Sequence, residues 1–272
     1  MLNALILIDN IAETGCISEW GFCVLIEYGG KKYLLDTGAS DKYLQNVEKL
    51  GVELSEVDAA ILSHAHFDHS GGYRSFFERN KKAKLYLSSA CAESCCFKLG
   101  PIRKYIGIPK ALLNEYPERL EPVDGFMQLD EGVWLVPHLK NRLEDIGRKN
   151  HLYRREGKKL VPDDFDHEQS LVFETEQGLA VFNSCSHGGL PNILKDIEHY
   201  LPGKHVCMTV GGLHLSKLPK AEVRYIAETI KSLGIQKVVT GHCTGDKAFE
   251  ILREVLGDAA VQTKVGMSVT AD

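Results

Sequence analysis

The sequence predicts a layered α/β or α+β domain carrying an insertion between roughly residues 90 and 165. Three observations predict it. The first third is rich in short apolar strand patterns, and the last hundred residues alternate strand and helix patterns. The composition, 272 residues with 44% hydrophobic and 25% charged, is that of an ordinary globular chain able to bury a large core.

The elements follow in order. "ALILID" and "GFCVLIEY" read as strands, and Gly29-Gly30 turns the chain into "KKYLLDTG", a hairpin signal. From Ser40 to Leu50 the apolar residues Tyr43, Leu44, Val47 and Leu50 keep helical spacing. "VDAAILS" is a short strand, Gly71-Gly72 a tight turn leading into the helix "YRSFFERN", and "AKLYLS" another strand. From about Ala90 to Asn150 the chain mixes short helical pieces with Pro101, Pro109, Pro117 and Pro122, and offers one strand at "VWLVP". Regularity returns with "SLVFETEQGLAVFNSCS", two strands joined at Gln177-Gly178. Then come a helix at "PNILKDIEHYL", a strand at "HVCMTVGG" and an amphipathic helix at "KAEVRYIAETIKSLG". "QKVVTGH" is a strand and "DKAFEILREVLG" a helix. There is no internal repeat and no low-complexity tract.

Bulk properties narrow the function. A net charge of -5 argues against an electrostatic grip on nucleic acid or anionic lipid. The N-terminal "MLNALILIDN" reaches Asp9 before any apolar run suits a signal peptide, and no uncharged run approaches the roughly 20 residues that span a bilayer. Eight cysteines without paired CxxC spacing point to a reducing, cytoplasmic setting. Cys91, Cys95 and Cys96 in "CAESCC" read as structural thiols on one helix face. The expected partner is a small-molecule substrate, with no nucleic acid and no membrane; the oligomeric state is open.

The chemistry concentrates in "ILSHAHFDHSGG", Ile61 to Gly72, where three histidines and an aspartate fall within six residues. In an extended chain His64, His66 and Asp68 share one face, and the following turn swings His69 round to join them. Imidazole nitrogen and carboxylate oxygen bind zinc at about 2.0–2.2 Å, and four such ligands suffice to seed a two-metal site. The ligand types suit zinc, iron, nickel and manganese alike.

"SHAHFDHSGG" resembles the HxHxDH signature of the metallo-β-lactamase superfamily, and "LLDTG", Leu34 to Gly38, the strand-end motif that precedes it there. "NSCSHGGLPNI", "GGLHL" and "TGHCTG" are similar to one branch, metal-dependent hydrolases of β-lactamase superfamily II that include dihydropterin-ribofuranosyl-aminobenzene-phosphate synthase-like proteins. The segment 91–165 resembles the family least, and is expected to shape the substrate pocket. The resemblance implies one domain over 1–272 with the αβ/βα sandwich, four layers deep, and two divalent metal ions, zinc first, at one edge. It implies that His64 and His66 bind the first ion with a later histidine, taken as His187, and that Asp68 and His69 bind the second with His242.

Other members carry a bridging aspartate where this chain has Cys185, which ligates or packs beneath the site. His167 and Glu168 in "DHEQSLVF" precede a strand whose hairpin partner ends at Cys185, so each is a ligand or orients one. His214 either acts as general acid and substrate contact or caps a turn, and Cys243-Thr244 are candidate substrate contacts. His138, His151, His199 and His205 read as ordinary polar histidines.

The implied function is a metal-dependent hydrolase with Asp68 and His214 in catalysis. A metal-bound hydroxide, generated as the pKa of water falls from about 15.7 towards roughly 7, attacks an ester or phosphoester of a pterin- or nucleotide-like molecule. The rival expectations are an iron oxidoreductase on the same fold and a non-catalytic metal-dependent sensor.

Overall fold

The structure is a computed structural model describing residues 1–138 and 143–272. Two seven-stranded sheets face each other. The first runs, in spatial order, Ser268–Ala271, Leu2–Ile8, Cys23–Tyr28, Lys31–Leu35, Ala59–Ile61, Lys84–Ser88 and Leu120–Val123. It is antiparallel up to Lys31–Leu35 and parallel from there on. The second runs Ala260–Gln262, Lys237–Thr240, Val206–Gly212, Gly178–Cys185, Gln169–Thr175, Val133–Pro137 and Met127–Asp130. Its first four strands are parallel and the rest antiparallel.

Alternation along the strands explains the layering. Leu2, Ala4 and Ile6 point inward with Val24, Ile26 and Leu35 to meet Leu171, Phe173, Phe182 and Val210 of the other sheet. The intervening Leu7, with Leu25 and Leu34, faces outward onto Tyr43, Val47, Phe76 and Phe77 of helices Tyr43–Lys49 and Tyr73–Arg79. The far sheet is covered by Leu190–Tyr200, Lys220–Ser232 and Asp246–Leu256. Val223, Ala227 and Ile230 of the second of these form its buried stripe at helical spacing. The result is the expected four-layer αβ/βα sandwich.

Three local expectations are corrected. The stretch 91–165 is mainly strands, not short helices. Its strands 120–123, 127–130 and 133–137 join the two main sheets, because their apolar residues Val123, Val133 and Leu135 fit the inter-sheet core. Only Cys95–Leu99, Ile102–Tyr105, Leu152–Glu156 and Lys159–Pro162 stand apart, as a four-stranded antiparallel sheet. Cys95 and Cys96 therefore lie on a strand, and adjacent strand residues point to opposite faces. All eight cysteines are free. Lastly, the histidine run is not extended throughout: His66 is, but Phe67–Ser70 is one turn of helix. Among the described residues no helix is long and apolar enough to cross a membrane.

Candidate metal centre

The side chains singled out in the sequence leave the sheets at one edge. Strands 31–35 and 59–61 deliver Asp36 and His64, and strands 178–185, 206–212 and 237–240 deliver Cys185 and His187, His214, and His242. Carboxyl ends of parallel strands are where open α/β sheets place ligands. The bends are tight there. Asp36, Phe165, His214 and His242 are four of the six described non-glycine residues with positive φ. Such strain collects at functional sites.

His64, His66, Asp68, His69, His187 and His242 come together in one buried constellation. His64 and His187 present Nε2 to each other at 3.3 Å, and the His66 ring lies 4.9 Å from that of His187. The second group forms around Asp68, whose Oδ2 is 3.6 Å from His242 Nε2 and 3.9 Å from His69 Nε2. The helical turn at 67–70 carries Asp68 and His69 to this side.

Hydrogen bonds behind the rings decide which nitrogen faces inward. His69 Nδ1 donates to Asp36 Oδ2 at 2.7 Å, leaving Nε2 inward. Asp36 also accepts from the Ser63 amide and hydroxyl, so the Ser63 oxygen is left to accept from His64 Nδ1 at 2.8 Å. His242 Nδ1 donates to Asn10 Oδ1 at 3.2 Å. These partners fix tautomer and ring angle, the task that carboxylates and carbonyls behind metal-bound histidines perform. Asp36 and Asn10 were not singled out in the sequence; Asp36 sat inside the quoted "LLDTG" without a role.

Two observations test whether divalent ions fit. The Nε2 atoms of His66 and His242 are buried with no hydrogen-bond partner among the described residues, a costly state for lone pairs that nothing neutralises. The protonation states of His64, His66, His187 and Asp68 also suit ligation, whereas His69, pushed down by burial, is carried up by Asp36 and Asp68. Burial, reinforced by the neighbouring imidazoles, drives His64 and His187 well below the usual histidine range, and burial takes His66 down to about 3. Burial pushes the Asp68 carboxyl up, but His69, His242 and His66 pull it further down, so it stays ionised. Neutral imidazoles and an ionised carboxylate are the ligand forms divalent metals require. The residues fit.

Cys185 takes the place between the groups. Its thiol belongs with His64 and His187 on one side and with His69 and His242 on the other, donor atoms within 4.8 Å in each set. It is 3.4 Å from His69 Nε2 and 3.2 Å from Cys243 Sγ. It faces both groups rather than packing beneath them.

His167 lies with His66, Cys95 and Asp163, donor atoms within 4.8 Å of one another, and both His167 and Glu168 are engaged in hydrogen bonds. His167 Nδ1 accepts the Ala65 backbone N–H at 3.1 Å, and its Nε2 faces Asp163 at 3.3 Å and Cys95 at 3.5 Å. Glu168 spends both oxygens on the backbone N–H groups of His187 and Gly188, at 2.9 and 3.1 Å. Next in line, Gln169 binds the carbonyls of Ser63 and Leu62 through its amides. Residues 167–169 thus tie the turn bearing His64 and His66 to the turn bearing His187.

The remaining candidates divide. His214 lies with its ring 4.4 Å from His187, and its buried Nδ1 has no partner among the described residues. Cys243 is 4% exposed against Cys185, and Thr244 is fully buried, its hydroxyl accepting from the Leu213 amide and pairing with Thr240. Both support the turn at 240–245, and Thr244 also lines a cavity beside His242. Trp20, absent from the sequence reading, is 54% exposed, donates Nε1–H to Asp68 Oδ2 at 2.8 Å and lies 4.9 Å from the His242 ring.

A solved structure described as Tm1679, a metal-dependent hydrolase of the beta-lactamase superfamily, superposes with a TM-score of 0.85 at 27% identity, covering 100% of this chain and 99% of the other. A diphosphatase of the PhnP family shares the fold, with a TM-score of 0.56 at 14% identity over 100% of this chain and 98% of that one. The chain is 29% identical over 248 residues to a 7,8-dihydropterin-6-methyl-4-(beta-D-ribofuranosyl)-aminobenzene-5'-phosphate synthase of Methanocaldococcus jannaschii, spanning 86% of this chain and 83% of that protein. The model of the metallo-beta-lactamase superfamily matches residues 21–194, and the chain belongs to that family.

Proposed function

We propose that the protein is a metal-dependent hydrolase of an ester or phosphoester bond in a small molecule. The carrying observation is the pair of buried Nε2 atoms on His66 and His242 that have no hydrogen-bond partner among the described residues. His64, His66 and His187 would hold one divalent ion, and Asp68, His69 and His242 a second, with Cys185 reaching both. When bound, such ions supply Lewis acidity at the electrophile and a nucleophilic water at neutral pH.

The chain's own groups do the rest. Nδ1 hydrogen bonds to Asp36, Ser63 and Asn10 turn the Nε2 atoms of His69, His64 and His242 inward. Glu168 and His167 hold the first group's backbone in place. His214 offers Nδ1 beside His187, placed to donate a proton to a leaving oxygen or to hold a substrate oxygen. Soft thiolate beside imidazole favours zinc, with iron next.

A second reading rests on the Methanocaldococcus jannaschii relative, which is named as a synthase of a dihydropterin-ribofuranosyl-aminobenzene phosphate. On that reading the same electrophile is attacked by a second substrate instead of water.

The test is metal analysis of protein purified without added metal, together with turnover of nitrophenyl phosphate and nitrophenyl esters before and after chelation. About two equivalents of zinc and chelator-sensitive turnover support hydrolysis. If His64→Ala and Asp68→Ala leave metal content and turnover unchanged, the assignment is wrong.

A further inference from the structure

The small four-stranded sheet meets the histidine turn at a further group of buried donors. Cys95 begins strand 95–99, and Asp163 follows strand 159–162 of the same sheet. His66, at the start of the helical turn 67–70, and His167, ahead of strand 169–175, reach them from the main sandwich. One donor atom from each of the four residues lies within 4.8 Å of the other three. Cys95 and Asp163 are fully buried, His167 is 3% exposed and His66 5%.

Hydrogen bonding sorts the four by role. His167 accepts the Ala65 amide on Nδ1 and faces Asp163 Oδ2 and Cys95 Sγ with Nε2, at 3.3 and 3.5 Å. With both nitrogens engaged, it orients the other donors. Asp163 Oδ1 accepts the Phe165 amide at 2.9 Å, which sets the angle of its carboxylate. His66 differs: its Nε2 is buried without a hydrogen-bond partner among the described residues. A lone pair in that state costs free energy that a bound cation would recover.

Charge and ligand type narrow the occupant. One thiolate, one carboxylate and one neutral imidazole bring two negative charges to a divalent ion, so the loaded site is neutral, as burial demands. Sulfur, nitrogen and oxygen on one ion make a zinc set, and a thiolate disfavours magnesium and calcium. Cys95 and Asp163 lie outside the HxHxDH pattern, in the segment that resembles the family least.

We propose that His66, Cys95 and Asp163 form a third zinc site, oriented by His167, that staples the small sheet to the turn carrying the first ligand group. His66 stands beside both, its ring 4.9 Å from that of His187. When the third ion takes it, His64, His187 and Cys185 remain to the first, their donors within 4.8 Å of one another. That exchange of partner makes the third site the last to fill. It stands on its own residues and does not depend on the hydrolase reading.

The test titrates zinc into the purified protein against a metal-sensitive dye and follows backbone hydrogen exchange by mass spectrometry. The parent is expected to take up one equivalent more than Cys95→Ser and one more than Asp163→Asn. Cys91→Ser should match the parent, because the Cys91 thiol faces the His167 carbonyl instead, at 3.7 Å. The last equivalent should slow exchange in strands 95–99 and 152–156 of the parent. The proposal is overturned if the parent takes up no more zinc than Cys95→Ser and Asp163→Asn, or if Cys91→Ser loses the same equivalent. It is also overturned if the last equivalent leaves exchange in the two strands unaltered. That measurement uses the parent alone, so it decides the matter even where a variant fails to fold. Absence of the first two ions would refute the hydrolase reading and leave the comparison of parent with variant intact.

Discussion

The two side-chain groups proposed to hold metal are built on different principles. The first, His64, His66 and His187, is all imidazole and held mainly from the backbone, by the tie at residues 167–169. The second, Asp68, His69 and His242, mixes charge types and is held by side chains: Asp36, Asn10 and the solvent-facing Trp20. A backbone-anchored group is stiff and costly to alter, whereas one held by side chains is open to tuning by single substitutions. Asp36 and Cys185 belong to both, the first through Ser63 and His69, the second through proximity.

Substitutions break this contrast in graded steps. Asp36→Ala removes the shared root and should be the most damaging. It strips the acceptor from His69 and from the Ser63 amide and hydroxyl, at about 1–3 kcal/mol for each buried donor left unsatisfied. Urea unfolding and metal analysis together should show lower stability and loss of metal from both groups. Glu168→Gln comes next. It keeps one acceptor but turns a donor towards a backbone amide, costing about 1–3 kcal/mol, and should lower occupancy of the first group while the second keeps its ion. Equal loss at both would mean the tie is not specific to one side.

Cys185→Ala tests the shared thiol. With cobalt substituted for zinc, the parent should show a sulfur-to-metal charge-transfer band that the variant lacks; a band that persists would place the thiol outside the coordination. Trp20→Phe should be the mildest, since it keeps a ring and deletes one hydrogen bond to Asp68. An affinity loss of roughly tenfold, the lower end for groups that orient a ligand, is expected at the second group only, read by competition with a metal-sensitive dye.

What the sequence made legible follows from how local each signal is. His64, His66, Asp68 and His69 sit within six residues, so their pattern is visible without a fold. The roles of His167 and Glu168 depend on amides 102 and 19 residues away in the chain, and only coordinates show that their lone pairs are already committed. Trp20 meets Asp68 across 48 residues. In the fold, strong periodicity revealed strands 170–185 and helix 220–232. The small sheet was missed because its exposed strand 102–105 lacks an apolar face, and strands 95–99 and 152–156 pair across some fifty residues.

The delivery of every ligand-bearing turn from one edge has a consequence for descent. Strand interiors carry the folding information, and the turns beyond them carry the chemistry, so a lineage can exchange residues in the turns while the frame persists. Cys185 illustrates the division: its backbone pairs with Gly212 in the sheet, while its side chain lies at the rim beside His69. Divergence in this fold is cheapest at its rim.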